Sequence, residues 1–293
     1  MPDLDVDVTR LAQLVSHGRV VVLSGAGLST ESGIPDYRGP RAAATRRRAP
    51  MTGQEFRGSD DARRRYWARS HLGWALMSRA EPNEGHRAVR SLEELGVVVG
   101  TITQNVDGLH QAAGSRAVVD LHGRLDRVVC LECGARTSRA DLRHRLDAAN
   151  PGWGSGTQVA QPDGDVEVDD RAVQQFVVVG CQDCGGALKP DVVFFGEGVP
   201  HDRVAASYRM LEAASVLLVL GSSLQVFSGR RFVLRASQKG IPVAIVNQGP
   251  TRCDDLAQLR IDAPLGATLT GLVTAGRLPR AGQADDTRTG RAT

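Results

Sequence analysis

At 293 residues, 41% hydrophobic and 24% charged, the chain can build one large core with a satellite module, which excludes a disordered or fibrous polymer. Its formal charge of +3 comes from arginines scattered among nearly as many carboxylates, with Lys189 and Lys239 the only lysines, so no nucleic-acid partner is expected. No apolar run approaches the roughly 20 residues that cross a bilayer, and the acidic start Met1-Pro2-Asp3-Leu4-Asp5 is unlike a signal peptide, so the expected place is the cytoplasm, with no membrane partner.

In chain order, Leu11, Leu14 and Val15 have helical spacing within 8–17, which predicts a short helix on a sheet edge. The apolar run 20–23 then reads as a buried strand entering the turn Ser24-Gly25-Ala26-Gly27. Glycines there let backbone amides approach a phosphate, although a plain tight turn competes, because neither G-x-G-x-x-G nor a P-loop is present. The continuation Gly33-Ile34-Pro35-Asp36-Tyr37-Arg38 adds a carboxylate and a guanidinium two residues apart, stiffened by proline. Residues 39–69, with Arg46-Arg47-Arg48, read as a mobile segment followed by a helix: a lid over the turn, or a solvated charged surface.

A helix over 83–95, with Asn83 as N-cap and Gly96 past its end, feeds a strand at 97–102. Further strand-length apolar runs lie at 117–121, 191–195, 216–220 and 241–246, with helices near 201–214 and 229–239. Strands alternating with helices predict an α/β protein with a parallel sheet covered on both faces and ligands at the carboxyl ends of its strands. Residues beyond about 278 are polar and small, which predicts a disordered tail over 279–293.

Cys130-x-x-Cys133 and Cys181-x-x-Cys184 present four thiolates suited to one tetrahedral zinc. Four sulfurs leave no open coordination position, so the metal is expected to be structural. A redox pair and a nucleic-acid-binding zinc ribbon are the competing readings. Cys253 is left over as a free thiol. Between the pairs, 150–170 is dense in glycine, proline and aspartate and reads as an irregular excursion.

Thr103-Gln104-Asn105-Val106-Asp107-Gly108-Leu109-His110 lies at the carboxyl end of the 97–102 strand. An amide at Asn105 and a carboxylate at Asp107 can hold a carboxamide, or either can cap a helix. His122 follows a strand and precedes Gly123, where an imidazole can serve as a base near neutral pH. Gly221-Ser222-Ser223-Leu224 and Asn247-Gln248-Gly249 end two further strands and can hold phosphate or ribose oxygens, with a serine N-cap as the alternative. His86 and His110 read as structural.

The glycine turn with its Ser29-Thr30-Glu31-Ser32-Gly33-Ile34-Pro35-Asp36-Tyr37-Arg38 continuation resembles the cofactor signature of the sirtuins, NAD-dependent protein-lysine deacylases. Matching segments run in order from about residue 20 to 265. The implied fold is a Rossmann-like doubly wound sheet over 1–122 and 189–278, with a zinc-binding module inserted at 123–188. The resemblance implies that Gly25, Ala26, Gly27, Thr30, Pro35, Asp36, Tyr37 and Arg38 bind NAD. Gln104 would contact the nicotinamide ribose, and Asn105, Val106 and Asp107 would line the nicotinamide pocket. Gly221, Ser222, Ser223, Asn247, Gln248, Gly249 and Leu265 would face the adenosine half. His122 would be the catalytic base, acting with Asn105 and Asp107.

An acyl-lysine peptide would lie as an extended strand between Val193-Phe194-Phe195-Gly196-Glu197 and Gln225-Val226. Nicotinamide and O-acyl-ADP-ribose would be the products. The sequences 29–31, 65–69, 114–116 and the long excursion are similar to the class II branch. Tyr66 and Arg69, three apart on an expected helix, either receive an acyl group ending in a carboxylate or belong to a solvated amphipathic surface. Transfer of ADP-ribose to protein, and non-catalytic sensing of NAD or ADP-ribose, are the alternative functions.

Overall fold

A computed structural model describes residues 4–16, 18–36, 50–153, 166 and 168–275. Tyr37, Arg38, the 39–49 part of the expected lid, most of the 150–170 excursion and the 279–293 tail lie outside the described residues. The strands are β1 (Val20–Ser24), β2 (Val98–Thr103), β3 (Val118–Asp120), β4 (Gly123–Cys130), β5 (Arg136–Ser138), β6 (Leu188–Val192), β7 (Val216–Leu220), β8 (Val243–Val246) and β9 (Leu259–Ile261).

Six of them form one sheet in the order β3-β2-β1-β7-β8-β9, with every adjacent pair parallel. Side chains alternate across it: Val20 and Val22 of β1 join one core with Leu218, Leu220 and Leu269, while Val21 and Leu23 join another with Leu217, Val219 and Phe232. Strand order reverses at the β1/β7 neighbours, which opens a crevice beyond their carboxyl ends. The helix Leu4–Val15 packs on the helix Leu265–Thr274 and on the edge strand β9. Asn83 caps the helix Glu84–Glu94 as expected, accepting from the His86 amide at 3.2 Å.

The run at 191–195, read as one more parallel strand, is placed differently. β6 covers 188–192 and pairs antiparallel with β4 in a second sheet, β5-β4-β6. A short apolar run carries no signal of pairing direction, and here its partner is the strand that ends in the first cysteine knuckle, with Cys130 opposite Leu188. The boundary expected at 189 therefore falls inside β6.

A third core lies on this small sheet, joining Phe56, Tyr66 and Trp67 to Leu125, Val128, Leu142, Phe176 and Phe194. The helices Gly53–Gly58 and Asp60–Met77 belong to it, although sequence order groups them with the large sheet; Trp67 Nε1 donates to the Leu188 carbonyl at 3.0 Å. Among the described residues no helix is long and apolar enough to cross a membrane.

Candidate active site

The loops after β1 and β7 meet backbone to backbone. Gly25 N–H donates to the Leu220 carbonyl at 2.9 Å, and Gly27 N–H donates to the Gly221 carbonyl at 2.8 Å. A β carbon on Gly25 would sit 2.8 Å from the Gly221 oxygen, and one on Gly221, at φ 61°, only 2.4 Å from Leu28 N. Glycine is thus demanded by the close approach of two strand ends. From Ala26 the chain runs into a 3₁₀ turn to Ser32, in which the Thr30 hydroxyl donates to the Gly27 carbonyl at 2.9 Å; Pro35 and Asp36 beyond it are half-buried.

The end of β2 locks onto the same turn. Gln104 donates its side-chain amide to the Ser222 hydroxyl at 2.9 Å and to the Ser24 carbonyl at 3.2 Å. Asn105 donates from Nδ2 to the Gly25 carbonyl at 3.0 Å and to Ser29 Oγ at 3.1 Å; its side-chain Oδ1 has no hydrogen-bond partner among the described residues. Ser29 in turn donates to Asp107 at 2.7 Å, and the Leu109 amide donates to the other carboxylate oxygen at 2.9 Å. Asn105 and Asp107 therefore do converge, through Ser29, while Asp107 also bonds the backbone at the start of the turn Leu109–Ala112. Burial pushes the Asp107 carboxyl above the usual range, against the two hydrogen bonds and the Arg124 charge. Half-buried Val106 packs toward the third core.

His122 stands between β3 and β4. Gly123, at φ 83°, is needed there because a β carbon would lie 1.9 Å from the Asp191 carbonyl. The imidazole Nδ1 is 2.9 Å from the Gln104 carbonyl and Nε2 is 2.7 Å from Ser228 Oγ. A carbonyl only accepts, so the neutral ring carries its proton on Nδ1, and Nε2 accepts from the serine hydroxyl. Burial pushes the His122 pKa below its usual value; the Gln104 carbonyl raises it again and the Arg203 charge lowers it further, leaving a neutral base near pH 7. Nothing in the sequence marked Ser228, on the helix Phe227–Gln238 and 106 positions away.

At the other expected positions the polar groups mostly hold the loops. Buried Ser222 accepts from Gln104, and Ser223 offers its carbonyl to Arg252 N–H at 3.0 Å. The Asn247 side chain donates to the Gln248 and Gly249 carbonyls at 3.0 and 2.8 Å. Leu265 is buried at the head of its helix, and the next amide, of Gly266, donates to Glu31 at 3.1 Å, tying that helix to the turn after β1.

The segment 193–197 flanks the histidine. Val193 N–H donates to the His122 carbonyl at 2.8 Å, Phe194 is buried, and exposed Phe195 offers its carbonyl to Gly53 N–H at 3.0 Å. Gly196 takes the turn at φ 80°. Glu197 accepts from Phe194 N–H at 2.9 Å and pairs with Lys189 at 3.1 Å and Arg57 at 2.9 Å, so its carboxylate is occupied inside the turn. Of the two residues expected across the peptide from this segment, Gln225 is exposed and Val226 half-buried. Tyr66 and Arg69 are both buried, at 5% and 8% exposure, which removes the solvated-surface alternative; the Tyr66 ring lies edge-on to Phe56 and Phe194 at 5.3 and 5.2 Å.

The sulfurs of Cys130, Cys133, Cys181 and Cys184 all lie within 4.8 Å of one another, with Cys130–Cys184 at 3.5 Å and Cys133–Cys181 at 3.8 Å. Zinc–sulfur bonds of about 2.3 Å in a tetrahedron set sulfurs about 3.8 Å apart, so the donor set fits zinc.

Comparison with known proteins matches residues 25–228 to the Sir2 family model. NAD-dependent protein deacetylase 1 of Streptomyces coelicolor is 54% identical over 270 residues, covering 92% of this chain and 90% of that one. The Mycobacterium avium protein of the same name is 52% identical over 257 residues, covering 86% and 89%. Among solved structures, one described as Sir2-p53 peptide-NAD+ superposes with a TM-score of 0.73 at 30% identity, covering 91% of this chain and 97% of that one.

Proposed function

The chain belongs to the Sir2 family, and from that premise we propose that it is an NAD-dependent protein-lysine deacylase of the class II type. The observation that carries the reading is His122, neutral, with Nε2 turned to a hydroxyl at 2.7 Å and Nδ1–H held by Gln104, beside the Asn105–Ser29–Asp107 cluster.

NAD, when bound, supplies an electrophilic ribose carbon and nicotinamide as leaving group. The Asn105 side-chain oxygen, without a hydrogen-bond partner among the described residues, and the Asp107 carboxylate are both acceptors, suited to the N–H side of a carboxamide, and orient it in the crevice. Gln104, from the same strand end, reaches the ribose. His122 exchanges the Ser228 hydroxyl for a substrate hydroxyl and takes its proton at Nε2, while the Gln104 carbonyl stabilises the imidazolium that forms. The acyl-lysine chain adds as a strand between 193–196 and 225–226, and backbone pairing makes that grip tolerant of sequence. Zinc, held by the four thiolates, has no open position and serves the module's structure. Thiols kept for a metal suit a reducing compartment, which supports a cytoplasmic location.

The test is NAD-dependent release of acetyl from acetyl-lysine peptides by wild type and His122→Ala. A folded His122→Ala should lose at least the 10²-fold typical of a general base; an unchanged rate would remove the assignment. Intact-protein mass spectrometry separates this reading from ADP-ribosylation of protein, which adds mass to the acceptor.

Tyr66 lies against Phe194, next to the peptide-facing segment, which supports a role for Tyr66 and Arg69 at the acyl end. An acyl group ending in a carboxylate would then be taken at least as well as acetyl. Arg69→Ala should weaken such substrates by about 1.5–3 kcal/mol in kcat/KM and spare acetyl-lysine. Equal losses on both substrates would return Arg69 to a packing role.

A further inference from the structure

The helices His201–Glu212 and Phe227–Gln238 lie side by side, with Tyr208 and Phe232 in ring contact at 5.1 Å. Along their outer side runs a groove of about 440 Å³, lined by Tyr208 and Glu212 from the first helix and by Phe227, Arg231, Leu234 and Arg235 from the second. The second set recurs at i, i+4, i+7 and i+8, which makes one stripe, while Phe232, Val233 and Ala236 face the core.

Phe227 is 54% exposed, an unusual position for a phenylalanine, and the Arg230 and Arg231 guanidinium groups stand 5.7 and 5.2 Å from its ring centre. Arg235 is neutralised by Glu212 at 2.5 Å. Arg231 has no carboxylate partner among the described residues, and its Nε is shielded from solvent without an acceptor. The groove thus offers an apolar ring, a leucine and one uncompensated guanidinium, a combination complementary to a carboxylate flanked by apolar atoms.

Its position gives that chemistry a purpose. Phe227 follows Val226, one side of the peptide clamp, and precedes Ser228, whose hydroxyl touches His122. Phe227, the first residue of the groove's stripe, thus stands in the chain between a residue of the proposed peptide clamp and one that touches His122. We propose that the groove extends the substrate cleft and reads an aspartate or glutamate flanking the acyl-lysine of the protein substrate, with Arg231 as the residue that sets this preference. The proposal rests on the deacylase reading.

The test uses matched acetyl-lysine peptides in which a single glutamate, glutamine or unmodified lysine is walked along both sides of the modified lysine, assayed with wild type, Arg231→Gln and Arg231→Glu, each checked for folding by thermal melting. At one position glutamate should lower KM about five-fold relative to glutamine in wild type, the scale of one exposed ion pair, with kcat unchanged. The preference should vanish in Arg231→Gln, turn toward lysine-flanked peptides in Arg231→Glu, and shrink as salt is raised. No position at which glutamate matters, or a preference that survives Arg231→Gln, overturns the proposal. So does a concentration-dependent dimer abolished by Arg231→Glu, which would give the groove to a second copy of the chain. Fluorescence anisotropy of the same peptides reads the preference without turnover. A wild type that fails on the neutral peptide therefore counts against the deacylase reading and leaves the groove separately decided.

Discussion

The two sheets bring the two halves of the cleft together by different physics. In the large sheet, Val20, Val21, Val22 and Leu23 of β1 are fully buried, and aliphatic cores lie on both faces. Aliphatic burial on both faces packs that hydrogen-bonded sheet, and its loops meet so closely that only glycine fits at Gly25 and Gly221. The small sheet has three strands, and Arg136 and Ser138 of β5 are exposed. Its stability comes from one packed side, rich in aromatic rings, and from four converging thiols. The segment 193–197, proposed to face the peptide, leaves this smaller sheet directly, so peptide binding should depend on the metal far more than the loops proposed to bind NAD do.

Metal removal tests that difference with the largest effect. Structural zinc contributes about 10–16 kcal/mol in small zinc modules, so chelation should abolish hydrogen-exchange protection in β4, β5 and β6 and keep it in β1 and β7. Equal loss in both sheets would mean that they fold as one unit.

Core truncation sharpens the comparison at smaller cost. Phe56→Ala, in the small-sheet core, should cost about 3–5 kcal/mol, and Leu23→Ala, between the central strands, about 2–5 kcal/mol. The first should lower protection of the small sheet while β1 stays protected, and the second should destabilise the large sheet. Exchange measured strand by strand separates the two, and a shared response to Phe56→Ala would erase the distinction.

Acid gives the smallest step for each pH unit and acts on the large sheet. His86 and His110 meet edge to face with ring centres 5.1 Å apart, and His110 Nε2 bonds the Ser24 hydroxyl at 2.8 Å. Burial, with the neighbouring His110 and Arg87 charges, pushes His86 down to about 3, and burial alone pushes His110 down to about 4. Both are neutral in the folded protein, whereas the unfolded chain protonates them below about 6.5. The unfolded state then binds more protons, so stability is complete above that pH. It falls by about 1.4 kcal/mol per pH unit for each histidine as pH drops toward 4. Replacing His110 with Gln should flatten the slope of stability between pH 6.5 and 4; an unchanged slope would locate acid sensitivity elsewhere.

Legibility followed the same division. Spacing announced the cysteine knuckles, the glycine turn and the polar residues after β2, because chemistry at each depends on neighbours close in sequence. Asn105 and Asp107 show its limit: the cluster with Ser29 and the backbone bond of Asp107 to Leu109 coexist, so the carboxamide and capping readings describe the same side chains. The burial of Tyr66 and Arg69 was hidden by an arginine-rich stretch that looks solvated until the third core closes on it. The resemblance put Glu197 in the segment beside the peptide, and only the fold sets Lys189 and Arg57 against its carboxylate.

By itself, then, the sequence determined the strand and helix alternation, the four-thiolate site and the residues gathered at the carboxyl ends of the strands. These rest on periodicity and on donor atoms a few residues apart, which local chemistry decides. The tertiary structure decided that β6 runs antiparallel in the small sheet, that residues 53–77 pack there, and that Ser228 sits at Nε2 of His122. Those facts depend on contacts between segments as far as 140 residues apart, and pairing direction, burial and side-chain juxtaposition over such distances leave no period or spacing in the chain.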